Sequence, residues 1–326
     1  MYIVDFFRRV TRRSNIPVLI YLVLNVFVIA GIIALLFGST GKMPFWLALI
    51  VGILVYGVSL VIALSPFGEW ILRLQTGCRK ITDQAVLDYM MPLFNEVYSR
   101  ALRIDPALPR DIQLFMNDDE SPNAFATGRK TVCITRGLLQ MPPEQIKATL
   151  AHEFGHLSHK DTDLILLVSV GNMIVSAIVV VIRVLLDIFH IVMSFTALFI
   201  GGSEGLWASI ITWLYHAAIS VCVSLLMWLW TKIGTLLVMK SSRANEYEAD
   251  EFAFRLGYGG SLCALLDTIG GKGAQGLFAN LVSSHPNKED RIARIRRLAA
   301  ARAAAKAAAL KSAAGMNGQN TRPFIK

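Results

Sequence analysis

Four long runs of apolar residues, almost free of charge, alternate with polar segments along the chain. They lie at about 16–37, 44–64, 164–186 and 207–231. A helix needs roughly 20 apolar residues to cross a bilayer. The pattern therefore predicts four transmembrane helices, arranged as two hairpins. Runs of this length are not typical of the buried helices of a soluble core.

The first run has a basic prefix, as a signal peptide does. It is longer than the roughly 7–15 apolar residues of a cleaved signal peptide, so we interpret it as a membrane anchor. A further apolar stretch at 191–200 either extends the third predicted helix or forms a separate interfacial piece. The pattern leaves both possibilities open.

Lysine and arginine are unevenly distributed around the four predicted helices. The turns of the hairpins and the helix ends beside them carry only Lys42 and Arg183. The other ends carry Arg8, Arg9, Arg12, Arg13, Arg73, Arg79, Lys80, Lys232, Lys240 and Arg243. Positive residues favour the cytosolic side of a membrane, which predicts that both termini and the segment 65–160 lie in the cytosol.

Two polar segments, 65–160 and 240–298, carry the patterns of a folded domain. Apolar residues at helical spacing predict a helix over 81–102, with a kink at Pro92. Alternating residues predict three strands, at 112–116, 123–128 and 131–135. We therefore expect a mainly α membrane protein with four transmembrane helices and a cytosolic α+β domain that contains a small sheet.

The predicted domains follow this order along the chain. A basic segment and the first hairpin occupy 1–64, and the second hairpin occupies 161–239. The two parts of the cytosolic domain occupy 65–160 and 240–298. An Ala- and Lys-rich tail over 299–326 carries no assigned chemistry.

Composition agrees with a membrane protein and argues against nucleic-acid binding. The chain is 54% hydrophobic and 17% charged, whereas soluble proteins carry about 25% charged residues. Its net charge of +9 comes from basic residues that flank apolar runs, which suits anionic lipid headgroups better than nucleic acid. The four cysteines include no C-x-x-C pair, so we expect reduced packing residues.

Residues 152–156 read His-Glu-Phe-Gly-His, on a predicted helix that begins near Pro143. Residues four apart share one helical face, so His152 and His156 can reach the same zinc ion. Glu153 is turned about 100° from His152, which leaves it beside the metal as a base towards water. The alternative is a pair of histidines on an exposed helix face.

A catalytic zinc ion usually takes three protein ligands. Glu246 and Asp250 lie four apart in Glu-Tyr-Glu-Ala-Asp, so Glu246 could bind the metal while Asp250 accepts the ring N–H of a ligand histidine. Such a cluster could also be a solvated helix face. Two predicted crossings separate Glu246 from His156, so both half-sites return to one side of the membrane.

These motifs resemble the M48 family of zinc metallopeptidases, and most closely its bacterial HtpX-like branch. The resemblance covers about residues 1–298 and rests on the motifs at 152–156 and 246–250. It also rests on the stretch 121–128, on Ser-His-Pro at 284–286 and on Asp-Arg-Ile at 290–292. The fold it implies for the cytosolic domain is of the zincin, or gluzincin, type.

The resemblance implies a role for each candidate residue. Glu153 would be general base and acid, His285 would donate to the oxyanion, and one zinc ion would bind His152, His156 and Glu246. An edge strand would pair with the substrate backbone, formed by Asn123, Ala124, Phe125, Ala126 and Thr127. Taken alone, the strand could be an ordinary one and His285 a capping residue. Arg243 and Arg291 could bridge to acids near the site or lie on a helix surface.

The implied function is quality control by a zinc endopeptidase of the bacterial inner (plasma) membrane. Its partners would be the lipid bilayer and misfolded or damaged membrane proteins, cut in their cytosolic regions. A Ste24-like prenyl-peptide endopeptidase is an alternative that would be expected to have more than four membrane helices. A membrane scaffold with a structural zinc is another, suggested by polar residues within the apolar runs at Asn25, Asn172 and His216.

Overall fold

The computed structural model describes residues 15–38, 44–268 and 288–319. The chain divides into two compact units. The first, here called the helical unit, consists of Met1–Gln75 and Thr162–Ser241. The second, here called the mixed unit, consists of Thr76–Asp161 and Ser242–Lys326.

The helical unit begins with two apolar helices, α1 (Ile16–Gly38) and α2 (Phe45–Ala63), followed by the short helix α3 (Pro66–Gln75). The amide of Asn25 bonds to the hydroxyl of Tyr56, while Ala30 lies against Gly52. Residue numbers therefore rise along α1 as they fall along α2, so the two helices pack antiparallel. A Cβ at position 52 would lie 3.2 Å from the Cβ of Ala30, which shows how closely the helices approach.

Three polar side chains satisfy one another among the apolar residues of the helical unit. Asn25 is fully buried and donates to the Tyr56 hydroxyl over 3.0 Å. The indole N–H of Trp230 donates to the Asn25 side-chain oxygen over 2.7 Å, and the Trp230 ring stacks on Tyr21. Buried polar groups are costly unless they are paired, so this network stabilises one arrangement of the three segments.

The second predicted hairpin lies within one long helical stretch, Asp161–Arg255. This stretch folds back on itself. Arg183 donates to the Ser224 hydroxyl over 2.6 Å, and Ser209 donates to the Ser194 carbonyl over 3.4 Å. A straight helix would separate residues 41 positions apart by about 60 Å. The contacts therefore require a reversal between Ser194 and Ser209.

Among the described residues, α2 is the one helix whose length and composition would let it cross a membrane. Shorter apolar helices cover Ile16–Gly31 and Gly205–Leu214. The predicted set of four transmembrane helices stays a prediction. The basic residues before residue 15, and Lys42, lie outside the described part of the chain.

The mixed unit contains a small sheet of four strands among its described residues. The strands are β1 (Arg79–Lys80), β2 (Gln113–Asn117), β3 (Ala124–Thr127) and β4 (Thr131–Thr135). Their order is β1-β2-β4-β3, with β2 and β4 parallel and the other pairs antiparallel. Three of these strands coincide with the predicted ones to within a residue or two, and β1 was not predicted.

Six helical segments are described in this unit, and the one that carries residues 152–156 packs against β3. They are α4 (Gln84–Ile104), a 3₁₀ turn (Arg136–Gln140), α5 (Pro143–His159), α6 (Asp161–Arg255, whose last turns belong to this unit), α7 (Gly259–Thr268) and α8 (Lys288–Gln319). α4 begins three residues later than predicted, because the Asp83 side chain caps it by accepting from the Ala85 N–H. The helix continues through Pro92, where the sequence predicted a kink.

Part of the core of the mixed unit lies between α4 and α5. Residues Met90, Phe94 and Val97 of α4 are buried at helical spacing, and Phe94 contacts Phe154 of α5 with ring centroids 5.4 Å apart. The cysteines described in this unit are free, as the sequence predicted. The contact with Phe154 turns the apolar face of α5 towards α4. It thereby sets the directions in which the neighbouring side chains of the motif at 152–156 point.

Candidate metal centre

Helix α5 brings two imidazoles together. His152 and His156 lie one turn apart, and their Nε2 atoms are 3.2 Å from each other. His152 is buried, and the His156 side chain is 13% exposed. The helix ends at His159, three residues after the motif, because Lys160 takes a left-handed conformation with a φ of 57°.

Glu246, on the last part of α6, completes the cluster. Its Oε2 lies 3.3 Å from His152 Nε2, and its Oε1 lies 3.4 Å from His156 Nε2. One ligand atom from each of the three residues lies within 4.8 Å of the others. Glu246 is 94 positions along the chain from His152, yet its carboxylate reaches both rings.

The spacing of these atoms fits a zinc ion. Ligands at the usual zinc distances of about 2.0–2.2 Å in a tetrahedral arrangement are separated from one another by roughly 3.3–3.5 Å. The two Nε2 atoms, 3.2 Å apart, are close to this value, and each of them lies 3.3–3.4 Å from a different oxygen of the Glu246 carboxylate. Two histidines with one glutamate also form a known catalytic donor set, which leaves a fourth position open. The donors therefore fit a catalytic zinc ion.

A glycine lets the two helices that carry these ligands approach each other. A Cβ at Gly155 would lie 2.8 Å from the Cα of Ala249 and 3.1 Å from its Cβ. Real Cβ atoms are essentially never found that close to backbone atoms, so only glycine fits here without a shift. The glycine within the His-Glu-Phe-Gly-His motif thus sets the distance between α5 and α6, and with it the distance between the histidines and Glu246.

Asp250 lies behind His152. Its Oδ1 is 3.0 Å from the Nδ1 of His152, as the sequence predicted for a carboxylate that accepts a ligand's ring N–H. This bond places the proton on Nδ1 and leaves Nε2 available for a metal. Burial alone would raise the pKa of Asp250, but bonds from Arg291 and His152 outweigh burial and lower that pKa to about 2.

Arg291, near the start of α8, is a residue beside the site whose place sequence reasoning left undecided. It is buried and forms two hydrogen bonds to the Asp250 carboxylate, of 2.8 and 2.6 Å. A signal for this role is visible in the sequence, since Arg291 shares a helical face with Ile295, which is also buried. The side chain of Arg243, the other open candidate, lies outside the described part of the structure.

Glu153 faces the sheet. Its Oε2 accepts a hydrogen bond of 2.6 Å from the backbone N–H of Ala126 in β3. In the described sheet β3 is an outer strand, paired with β4 alone. The Thr135 N–H donates to the Asn123 carbonyl, so by antiparallel alternation Phe125 and Thr127 also bond to β4. Ala124 and Ala126 therefore turn their N–H and C=O groups away from β4.

His285 lies outside the described residues, together with the Ser-His-Pro motif that contains it. His159, three residues beyond His156, is partly buried, with its side chain 20% exposed and 3.8 Å from Glu248. Its ring also meets Phe252 edge-on, which explains the burial, and it does not belong to the metal cluster.

Comparison with known proteins identifies the family. The model of peptidase family M48 matches residues 105–299, more than half of the chain. A protein of Acaryochloris marina named Protease HtpX homolog is 27% identical over 276 residues, which cover 76% of this chain and 85% of that protein. A protein of Streptomyces coelicolor named Protease HtpX homolog 1 is 42% identical over 69 residues, which cover 20% of this chain and 23% of that protein. These similarities confirm the HtpX-like resemblance, and the chain belongs to peptidase family M48.

Proposed function

We propose that this chain is a zinc endopeptidase that binds one zinc ion through His152, His156 and Glu246. The observation that carries the proposal is the convergence of these three donors, with the Glu153 carboxylate next to His152 on the same helix and bonded to β3. A purely structural zinc site has no use for a carboxylate that stands next to the ligands without binding the metal. Such a carboxylate is what hydrolysis of a peptide bond requires.

The chemistry divides between the metal and the protein. A zinc ion, when bound, polarises a carbonyl oxygen and makes water more acidic. Glu153 takes the proton of the attacking water and later passes it to the departing amine. The carboxylate of Glu153 is buried, so few solvent molecules compete for that proton.

The edge strand β3 supplies the binding surface for the substrate. An extended peptide can pair with the outward N–H of Ala124 and with the outward C=O groups of Ala124 and Ala126, as strands are added to other sheet edges. Because Glu153 contacts the Ala126 N–H, a peptide bound along this edge passes beside the base. Backbone hydrogen bonds do not depend on the side chains of the substrate. Such binding therefore suits a protease that acts on many unfolded sequences. His285, by the family resemblance, would donate a hydrogen bond to the oxyanion.

The place of action is the inner membrane of a bacterium, with the metal centre and both termini on the cytosolic side. Several observations support this part of the proposal. The helical unit exposes many large apolar side chains, including Val181, Leu185, Phe189, Phe199, Trp207, Trp213, Leu225 and Trp228. Exposed apolar surface of this extent is typical of contact with lipid or another protein, and the distribution of lysine and arginine favours the cytosol for the polar segments.

The substrates we propose are the cytosolic loops and tails of misfolded or damaged membrane proteins. A protease anchored in the membrane meets such segments at high local concentration. An unfolded segment is also free to take the extended form that β3 can pair with. The protease would thus serve the quality control of the membrane.

A cleavage assay in detergent tests this function. The substrate is a destabilised membrane protein with a long cytosolic tail, incubated with wild-type protein, with Glu153→Gln and with the matched control Glu144→Gln. Glu144 lies in the first turn of the same helix, where it pairs with Lys147 at the surface. We expect zinc-dependent cleavage by wild type and Glu144→Gln, and a loss of about 100-fold or more for Glu153→Gln. Substantial cleavage by Glu153→Gln would remove Glu153 from the mechanism.

A further inference from the structure

Arg291 is a buried cation, whereas most arginine side chains in folded proteins are exposed. Its side chain is 7% exposed, and its neighbours Ile292 and Ile295 are buried as well. Arginine is almost never buried unless its charge is paired. The partners of the guanidinium therefore indicate why the residue is there.

One guanidinium contacts two carboxylates that lie a helical turn apart on α6. Its Nε donates to Asp250 Oδ2 over 2.8 Å, and its Nη2 donates to Asp250 Oδ1 over 2.6 Å. Its third nitrogen, Nη1, lies 3.3 Å from Glu246 Oε2. The planar fork of arginine can make the paired bonds to Asp250 and reach Glu246 at once, whereas the ammonium of lysine is a single point.

The contact with Asp250 extends to the first histidine. Asp250 Oδ1 accepts from both Arg291 Nη2 and His152 Nδ1. The two donors are 3.5 Å apart because they share this acceptor. Arg291 thereby fixes the rotation of the Asp250 carboxylate, which in turn fixes the ring of His152 and the direction of its Nε2.

Arg291 also balances the charge of the buried carboxylates in the site. Three carboxylates are buried in this region, those of Glu153, Glu246 and Asp250. A divalent ion offsets two of the three negative charges, and Arg291 offsets the third. Without the arginine, one buried negative charge would be left uncompensated, which proteins avoid.

We propose that Arg291 is a positioning residue of the metal centre, which holds Glu246 directly and His152 through Asp250 in the geometry that binds zinc. This inference rests on the proposed function, because the metal is the one assigned there. Arg291 touches neither substrate nor zinc in this account. Its effect is to hold the ligand side chains in the metal-binding geometry before zinc binds.

Zinc binding and the spectrum of bound cobalt test the proposal. Arg291→Lys and Arg291→Met are compared with the matched controls Arg294→Lys and Arg294→Met in the full-length protein. Arg294 lies three residues further along α8, with a half-exposed ion pair to Glu251 and a contact with the ring of Tyr247. Zinc affinity is measured by competition with a chromophoric chelator, and the visible absorption of the Co²⁺-loaded protein reports the geometry of the ligands.

We expect both Arg291 variants to bind zinc about 10- to 100-fold more weakly, the range typical of residues that orient metal ligands. We expect their cobalt spectrum to shift and kcat to fall with little change in KM. The Arg294 variants should match wild type in each respect. In the double variant Arg291→Met/Asp250→Asn, the loss of affinity should be smaller than the sum of the single losses, because Arg291 acts through Asp250.

Two results would overturn the proposal. Wild-type zinc affinity and an unchanged cobalt spectrum in Arg291→Lys would show that the arginine merely ties α8 to the domain. Failure of both zinc-free variants to fold, judged by circular dichroism, would likewise assign Arg291 to the fold instead of the metal centre. The proposed protease function fails separately, if wild type binds zinc but Glu153→Gln still cleaves substrate.

Discussion

The carboxylate of Glu153 on α5 accepts a hydrogen bond of 2.6 Å from the backbone N–H of Ala126 on β3. This bond joins the residue proposed as base to the strand proposed to bind substrate. The N–H of Ala126 faces away from β4. The bond to Glu153 therefore leaves the backbone hydrogen bonds between β3 and β4 intact. Base and binding edge are therefore held at a fixed distance before any substrate arrives.

Replacing Ala126 with proline tests this link. Proline removes the N–H and puts its ring where the Glu153 oxygen lies, yet an outward-facing position on an edge strand tolerates proline. We expect Ala126→Pro to fold and to bind zinc normally, while kcat falls by roughly 10- to 100-fold because the base is displaced. Cleavage kinetics, with zinc content measured on the same samples, check this expectation.

Phe125→Pro is the matched control for that variant. The N–H of Phe125 faces β4, so proline there removes a ladder bond and should lower thermal stability, which proline at 126 should not do. Equal destabilisation by the two substitutions would contradict the assigned direction of these N–H groups.

Gly155 should resist substitution by alanine although alanine favours helices. In an open helix the change would be stabilising by up to about 1 kcal/mol. Here the new Cβ would lie 2.8 Å from the Cα of Ala249, so α5 and α6 must move apart. We expect a loss of about 1–3 kcal/mol in the stability of the mixed unit, together with weaker zinc binding. Hydrogen exchange of peptides from the two helices measures the first effect.

The control for Gly155→Ala is Gly260→Ala. Gly260 is exposed in α7, and a Cβ there would meet nothing within 4 Å. This variant should be neutral or slightly more stable than wild type. If Gly155→Ala behaved in the same way, close helix packing would not be what holds the ligands together.

An ion pair between α4 and α5 should make stability depend on acidity. Lys147 lies 2.9 Å from Glu96, and the hydrogen bond from Lys147 holds the pKa of Glu96 below its ordinary value of 4.5. Because the folded pKa is lowered, the stabilisation is fully present above pH 4.5 and is lost as the pH falls through the lowered pKa. The side chain of Glu96 is 37% exposed, so solvent screening keeps the effect below about 1 kcal/mol.

Glu96→Gln should therefore destabilise the mixed unit slightly at neutral pH and hardly at all in acid. Hydrogen exchange of α4 and α5 at several pH values would follow the difference between variant and wild type. Glu120→Gln, at an exposed position, serves as the control and should show no such trend. A difference that stayed constant down to strongly acidic pH would argue against the ion pair.

Much of the candidate site could be predicted because helical periodicity is a strong constraint. A spacing of four residues puts His152 and His156 on one face whatever surrounds them, and the structure brings their Nε2 atoms to 3.2 Å. The pairing of both histidines with Glu246 was harder to foresee, since many residues of chain intervene. It followed from counting predicted membrane crossings, and the structure brings Glu246 to the histidines within the mixed unit.

Other features could not be predicted because they depend on what lies across an interface. Periodicity places Arg291 on the buried face of α8, but it does not say which acids face it there. The need for glycine at position 155 depends on the approach of Ala249, a residue of another helix. Strand β1 has two residues, too few for alternation to be detected. The course of the chain through Asp161–Arg255 also depends on contacts, such as that between Arg183 and Ser224, that leave no periodic signal.

Zinc titration of purified wild-type protein and of Glu246→Ala tests the central claim most directly. The matched control is Glu248→Ala, on the same stretch of α6, whose side chain is 40% exposed beside His159. If His152, His156 and Glu246 bind one metal ion together, wild type and Glu248→Ala bind one equivalent of zinc. Glu246→Ala should then bind at least 100-fold more weakly, on the order expected for losing one of three ligands. Wild-type stoichiometry and affinity in Glu246→Ala would contradict the account.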